Sequence, residues 1–545
     1  MVGGDATLPL SCGWDWFLGD WKAVPEQSIY GYGLCATAAP LFWGVDSLSD
    51  LVLRRSLLGA AVVPFSWLLV RSGASLVLPL SPLAVRVGAA LAALVVLRHA
   101  DIGWFSMTGV NGYFSGPLVC LVLLSWVLAC KGRTWGAVLA LGLIPIAMMN
   151  HPSTLWLLPA SFPLAWWVAS RGGAPWLLGG TAVALGLSWP RLVRLRESLG
   201  HPDARTTAIS VDADTSELWR ELSDSILDYS NLALLIGVVA LCWCSRRSKD
   251  QGFGRTWAWA CGLGVLTALG LGAGLKSLRY YHLIWLFPFA LLPLGAVAAR
   301  AFDVLAGSAG LGRLPRALRA VLCSALVVGL GGAALTGPRG PLEPWCPSGE
   351  LDSQTAGGAS QSANAILEDL RSHPSERPVV VGNLNSGAAV MDSAFPVLQD
   401  LMLRGVPRTR LFCCTESQLQ PLWYWLISPL GDALDASLLG GIPGVEVLRA
   451  RPQTGEWLVV LRTEQARDVL ERRLCSAFGP DEGLSVTSHD AAMTRLPGRL
   501  PEGLQVPVGS WNCEVSEPGD GSHSPDDTGP DLRAQESESS SDAER

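Results

Sequence analysis

The sequence predicts a mostly α-helical, polytopic membrane bundle of about ten spans, followed by a soluble extracytoplasmic α/β domain and a disordered acidic tail. Three observations predict it. The chain is 49% hydrophobic and only 16% charged, whereas an average soluble protein is about 25% charged. From about Leu51 to Leu335 one apolar run follows another, each near the ~20 residues that cross a bilayer. Past Gly337 the composition turns soluble, and past Cys513 it turns acidic.

The apolar windows bounded by charges or turn residues lie at about 51–70, 83–99, 114–130, 135–149, 153–170, 174–190, 230–245, 256–275, 281–299 and 319–336. Alternate connections carry Arg71; Lys131 and Arg133; Arg171; Arg246, Arg247, Lys249 and Arg255; and Arg300, Arg313, Arg316 and Arg319. By the positive-inside rule these face the cytoplasm. The opposite set also holds bases, among them Arg191, Arg194, Arg196, Arg205, Arg220, Lys276 and Arg279. The rule is obeyed imperfectly, but the alternation favours residues 1–50, and everything after Gly337, outside.

Residues 1–50 would then be an extracytoplasmic loop with no span before it. A first helix upstream of this chain would deliver it; the alternative is transfer by the span that follows. The opening residues lack the basic start and apolar run of a signal peptide.

Residues 343–505 read as an α/β domain beyond the bundle of residues 51–337. "RPVVVGNLNS", "RTRLFCC", "GVEVLRA" and "GEWLVVLRT" read as short buried strands. "SANAILEDLRS" and "EQARDVLERRL" read as amphipathic helices, the second capped by Thr463. This stretch holds no Gly-rich phosphate loop, paired metal-ligand pattern or nucleophile elbow, so a binding or structural module is expected. Cys12, Cys35, Cys346, Cys413, Cys414, Cys475 and Cys513 fall on the expected outer face, where disulfides are permitted though their pairing is not deducible.

The formal charge of −7 is concentrated at one end. Residues 513–545 hold ten acids and two bases, a net of −8, so the other 512 residues sum to +1. The tail has almost nothing apolar to bury and should stay disordered. No basic face with interleaved aromatics supports nucleic-acid binding.

The residues that carry chemistry lie in the first loop and before a late span. "GGDATLPLSCGWDWFLGDW" opens the chain with Asp5, Asp15 and Asp20 and with Trp14, Trp16 and Trp21; "YGYGL" (30–34) and "APLFWGV" (39–45) follow. Further on stand "GVNGYFSGPL" (109–118), "GLIPIAMMNHPSTLWLLPA" (142–160) and "GLKSLRYYHLIWLFPFALLPL" (274–294). In this order, over roughly residues 3–300, these segments resemble the polytopic glycosyltransferases of the C-type fold that use lipid-phosphate sugars, the protein-mannosyltransferase and aminoarabinose-transferase relatives. Each motif is weak alone; order and topology carry the resemblance. Two departures stand out: Ala6 follows Asp5 where the family often has Glu, and the first helix is lacking.

The resemblance implies sugar transfer from a polyprenyl-phosphate donor to a lipid, glycan or protein acceptor at the extracytoplasmic face, by one inverting displacement. It implies the bacterial plasma membrane as location and membrane lipids as surroundings. An acceptor hydroxyl must lose its proton as it attacks, so a carboxylate at the outer rim is the expected base; Asp5 and Asp20 are the candidates. The leaving lipid phosphate needs cations, and Lys276 and Arg279 stand where a headgroup would lie. Tyr30, Tyr32, Tyr280 and His282 would flank the substrate. No cofactor is implied and no His or Cys pattern calls for a metal, although Asp20 could serve a divalent ion.

Each residue has a plainer reading as well. Asp5 could be frayed and solvated, and Asp20 could cap the turn. The tryptophans suit headgroup-level anchors better than sugar platforms, and Lys276 and Arg279 could snorkel to lipid. His151 suits a helix start. Two other classes compete: a non-catalytic relative whose bundle anchors a binding domain, and a transporter, for which matching broken-helix halves and intramembrane acids are scarce.

Overall fold

The computed structural model describes residues 10–19, 32–98, 115–150, 152–199, 252–275, 286–306, 356–385, 391–407, 410–413, 422–428, 436–451 and 456–478. Two short helices come first, α1 (Leu10–Phe17) and α2 (Tyr32–Ala38), then a tight 3-10 turn over Ala39–Phe42. They touch closely because Gly13 has no side chain: a Cβ there would lie 2.5 Å from that of Ala38. Trp14 meets Phe42 edge-on at 5.3 Å.

The next helix, α3 (Leu48–Ala60), starts where the sequence "SLSD" supplies both halves of a cap. Ser47 Oγ accepts from the Asp50 N–H at 3.3 Å, and the Asp50 carboxylate sits at the positive end of the helix dipole. Arg54 pairs with Asp50 at 2.9 Å. It also donates to the carbonyls of Trp43 and Gly44, the latter at 2.9 Å, pinning the preceding turn. Leu48, Leu51, Arg55 and Gly59 are buried; their spacing of three and four puts them on one stripe. After a bend at Ala61 the chain continues as α4 (Val62–Val77).

Seven more helices complete the described bundle: α5 (Pro82–Arg98), α6 (Ser115–Cys130), α7 (Trp135–Asn150), α8 (Leu157–Val168), α9 (Ala174–Leu199), α10 (Gly252–Leu275) and α11 (Phe287–Ala306). A 3-10 turn over Pro152–Trp156 leads into α8, and a kink with Gly172 at φ +83° separates α8 from α9. Small residues let backbones approach, as expected of membrane helices; a Cβ on Gly88 of α5 would lie 2.2 Å from the Gly295 carbonyl of α11. Trp166 is 78% and Trp259 70% exposed, a distribution that fits a lipid-facing surface and not a water-facing one.

Among the described residues, Leu48–Val77 (30 residues) and Phe287–Ala306 (20 residues) are long and apolar enough to cross a membrane; Pro82–Leu97, Ser115–Cys130 and Trp135–Asn150 are apolar but shorter. The spans expected at 230–245 and 319–336 lie outside the described residues. Arg300 lies inside α11, which runs on to Ala306, and not in a connection. Arg71 does not sit in a connection either. The helix runs on to Val77, and the Arg71 guanidinium lies over the Trp67 ring at 4.6 Å. A long side chain with an aromatic partner lets a helix carry a charge past the point where composition suggests it should end.

The bundle has two distinct ends. At one, the α6–α7 turn exposes Lys131 and Arg133, and Arg171 lies beside Cys130 and over the Trp167 ring. Gly252, the start of α10, packs on the same Trp167, which brings Arg255 to this end. At the other, Asn150 donates to Thr37 of α2 at 3.2 Å, so the far tips of α6 and α7 meet the first helices and the start of α3.

Residues 356–478 form a three-layer α/β/α unit. Its elements are α12 (Ala356–Ser372), β1 (Val379–Asn385), α13 (Met391–Leu403), β2 (Leu411–Cys413), β3 (Leu422–Ser428), α14 (Ala436–Leu439), β4 (Val445–Arg451), β5 (Glu456–Leu461) and α15 (Glu464–Phe478). The sheet order is β2-β1-β3-β5-β4. The first three strands are parallel, and β5 and β4 are antiparallel additions. Along β3, Leu422, Tyr424 and Leu426 join the apolar cluster under α12 and α13, while Trp423, Trp425 and Ile427 join the cluster with Leu439 and Leu470 on the other face. Thr463 caps α15 as expected, its Oγ1 accepting from the Ala466 N–H at 3.1 Å. Arg449 ties β4 to α12 through Ser362 Oγ at 2.7 Å and the Gly358 carbonyl at 3.0 Å.

This unit is joined to the bundle by one buried carboxylate. Asp400 of α13 has no exposure; its Oδ1 accepts from the Leu48 N–H of α3 at 2.7 Å. Its Oδ2 accepts from Arg404 at 2.6 Å, and Arg404 reaches Asn364 of α12 at 2.9 Å. Leu48 and Leu51 lie in the same apolar cluster as Ile366, Leu398 and Leu401. Replacing Asp400 by Ala strands the Leu48 N–H and the Arg404 guanidinium, each a loss of about 1–3 kcal/mol. The full-length protein should melt lower as Asp400→Ala, with Asp400→Asn intermediate because its amide oxygen still accepts from Leu48. Equal melting of all three by differential scanning fluorimetry would refute the joint.

Candidate functional site

The tips of α6 and α7 away from their shared turn, the first two helices and the start of α3 meet at the end of the bundle that carries the α/β unit. Arg55 stands in the second turn of α3, on the buried stripe, with 1% of its surface exposed. A buried guanidinium loses several kcal/mol of solvation, and ionisable residues inside membrane helices mark pathways and ligand sites.

The chain also buries neutral polar groups at the tips of α6 and α7 and in the turn that follows. Ser115 opens α6, Asn150 closes α7, and Thr154 and Trp156 lie in the following turn; each has no exposure. Asn150 uses its amide NH2 on Thr37. Its Oδ1, Ser115 Oγ and Trp156 Nε1 find no hydrogen-bond partner among the described residues. The Trp156 ring packs against Phe289 of α11 at 5.3 Å.

Of the residues singled out in the sequence, Asp5, Asp20, Tyr30, Lys276, Arg279, Tyr280 and His282 lie outside the described residues, as does His151. Tyr32 begins α2. Trp14 is half-buried against Phe17 and Phe42 instead of standing free as an anchor; Phe17, Leu18 and Trp43 are the large apolar residues exposed beside it. Cys35 of α2 is buried and disulfide-bonded, as an oxidising compartment permits. Arg55 was missed. Its signal was available, since "LRR" at 53–55 places a charge inside an expected span. Among the described residues, no three His, Cys, Asp or Glu side chains stand close enough to hold a metal ion.

A second polar cluster lies in the α/β unit. Asp369 of α12, 3% exposed, accepts from Tyr424 Oη at 2.8 Å and from Arg462 at 2.6 Å. It also lies 3.0 Å from His373 Nδ1. Arg462 further reaches Glu446 at 2.6 Å. Burial pushes the Asp369 carboxyl up, but the hydrogen bonds from Arg462 and Tyr424 and the guanidinium charge outweigh it and hold the group below its ordinary range. Burial, then the bond to Asp369 and its charge, push the Tyr424 phenol well above its ordinary value. These bonds hold α12 to β3 and β5, with no Ser, Cys or Lys among the bonded partners to serve as a nucleophile. The cluster is a structural lock.

No family model matches this chain, and no curated protein matches it. It is similar to ArnT. The crystal structure of ArnT from Cupriavidus metallidurans in the apo state aligns with a TM-score of 0.47 at 13% identity, over 84% of this chain and 94% of that one. The form bound to undecaprenyl phosphate aligns with a TM-score of 0.47 at 14% identity, over 85% and 95%. No residue's role is taken from either.

The lock sets a pH response. With its folded value depressed, Asp369 contributes fully above the ordinary carboxylate value of about 3.9 and loses that contribution as the pH falls below it. With its folded value raised, Tyr424 contributes fully below about 10 and loses it as the pH climbs. Asp369→Asn should melt lower at neutral pH and lose this part of the acid limb, while Tyr424→Phe flattens the alkaline limb. Melting curves between pH 3 and 11 that superpose for all three proteins would contradict the assignment.

Proposed function

We propose that this chain is an integral-membrane glycosyltransferase that moves a sugar from a polyprenyl-phosphate donor to a lipid, glycan or protein acceptor at the extracytoplasmic face. The observation that carries it is the burial of Arg55 at the end of the bundle where α1, α2 and the 3-10 turn after them pack. The donor's phosphodiester, a monoanion entering from the lipid, would meet a guanidinium there that has already lost its water, and the departing phosphate would place its second negative charge beside it. Arg55 joins Lys276 and Arg279 as a candidate phosphate partner.

The chemistry follows from the charges. The acceptor hydroxyl attacks the anomeric carbon, and Asp5 or Asp20 takes its proton as the new C–O bond forms. The bond from that carbon to the phosphate oxygen breaks on the opposite face, and the lipid phosphate departs with the electron pair. Cations held in a low-dielectric site stabilise that charge more than they could in water. One displacement inverts the anomeric centre and leaves no sugar on the protein. The basic end with Lys131, Arg133, Arg171 and Arg255 faces the cytoplasm on this reading, and the disulfide of Cys35 the oxidising side.

The test is transfer of radiolabelled sugar from a polyprenyl-phosphate donor by the full-length protein in native membranes. Asp5→Asn or Asp20→Asn should lower turnover by about 10²–10⁴-fold, the usual contribution of a general base. Arg55→Gln should weaken donor use by at least tenfold. Full turnover in every variant, or none in the wild type with hexose and pentose donors, sinks the proposal.

A further inference from the structure

The buried neutral polar atoms at the outer tips of α6 and α7 are unexplained by the fold. Buried polar groups are normally satisfied, and each exception costs about 1–3 kcal/mol. Ser115 Oγ, Asn150 Oδ1 and Trp156 Nε1 are three such exceptions in one region. The helices α6 and α7 are 16 residues each and antiparallel across a short turn, so Ser115 and Asn150, first and last of the pair, come level. Trp156 follows Asn150 after one 3-10 turn. Asn150 is held in place by its bond to Thr37, which leaves its oxygen as the free end.

We propose that Ser115, Asn150 and Trp156 form a charge-free hydrogen-bonding subsite for the sugar ring of the donor; this rests on the glycosyltransferase reading above. The donor and acceptor inventory selects the ligand. Trp Nε1–H can only donate, the Asn oxygen can only accept, and a Ser hydroxyl does both. A phosphate accepts only and would repel the Asn oxygen, and an ammonium donates only and would gain nothing from the indole N–H. Sugar hydroxyls both donate and accept, so they satisfy all three. The headgroup charge is left to Arg55, and the two chemistries separate along the donor.

The experiment uses full-length protein in nanodiscs and two probes: polyprenyl phosphate alone, and polyprenyl phosphate carrying mannose or arabinose. The variants Ser115→Ala and Trp156→Phe each delete one of these groups and break no hydrogen bond among the described residues. Ser115→Ala should therefore melt at or above the wild type, while Trp156→Phe also gives up ring packing against Phe289 and is read by binding alone. The wild type should bind a sugar-charged lipid at least tenfold tighter than the bare one, and each variant should lose most of that preference while binding the bare lipid as before. A preference that survives in both variants overturns the subsite and leaves the glycosyltransferase reading standing. So does equal wild-type affinity for charged and bare lipid. Binding of neither lipid by the wild type removes both proposals. A clear fall in melting temperature in Ser115→Ala would show that buried water already satisfies its hydroxyl, and would overturn the subsite.

Discussion

The bond between Asp400 and the Leu48 N–H is the constraint on which the described architecture depends. A helix begins with N–H groups that no residue of its own can accept. The start of α3 is covered by other parts of the protein, so water does not serve Leu48. Its acceptor lies 352 residues further along the chain. The carboxylate that provides it is itself fully buried and is tolerated because Arg404 and the Leu48 N–H divide its charge between them. The Leu48 N–H and Asp400 Oδ1 each find their partner in the other unit. Apolar packing continues across the joint from Leu48 and Leu51 to Leu398 and Leu401, but apolar contact is non-directional and would not by itself set which turn of α13 meets α3.

That direction matters because of what α3 carries. Arg55 is seven residues beyond Leu48 on the same buried stripe, two turns from the joint. A rigid helix transmits any rotation of its first turn to the second. The α/β unit is in turn stiffened by its own buried carboxylate: Asp369 draws Tyr424 of the central strand β3 and Arg462, the residue after β5, onto α12. Since Arg404 also reaches Asn364 on α12, the lock and the joint share a helix. A change in the sheet would reach α3 through the four hydrogen bonds Tyr424–Asp369, Arg404–Asn364, Arg404–Asp400 and Leu48–Asp400, without any need for flexible packing.

What the sequence revealed, and what it hid, follows from the range of each interaction. Four of the five strands were legible because turn residues or charges bracket each apolar run, and Thr463 was legible because a cap is local. The central strand β3 was not. "LWYWLIS" shows no alternation because both its faces are covered, and a short continuous apolar run does not distinguish a strand from a helix. Helix α13 was missed as well; Pro396 lies inside it and reads as a break. Asp400 and Arg404 look in sequence like any solvated i,i+4 pair, and only the tertiary fold turns the pair inward. Arg71 misled for the converse reason, a charge read as an end where Trp67 lets the helix continue.

The site was legible only in its outline. Family-like motifs drew attention to the loop of residues 1–50, but a motif search rewards residue types at fixed spacing and passes over single buried groups. Ser115, Asn150 and Trp156 form no motif; they stand out only once their burial and their lack of partners are known together. The energetic argument then runs in one direction. Three unsatisfied groups at about 1–3 kcal/mol each are a sizeable share of the 5–15 kcal/mol by which a typical domain is stable. A chain that needed only to pack α6, α7 and α8 would do better with Ala, Leu and Phe there. Retaining polar atoms where the fold gains nothing from them is rational if another molecule completes their hydrogen bonds, and the free energy withheld from folding is then returned on binding.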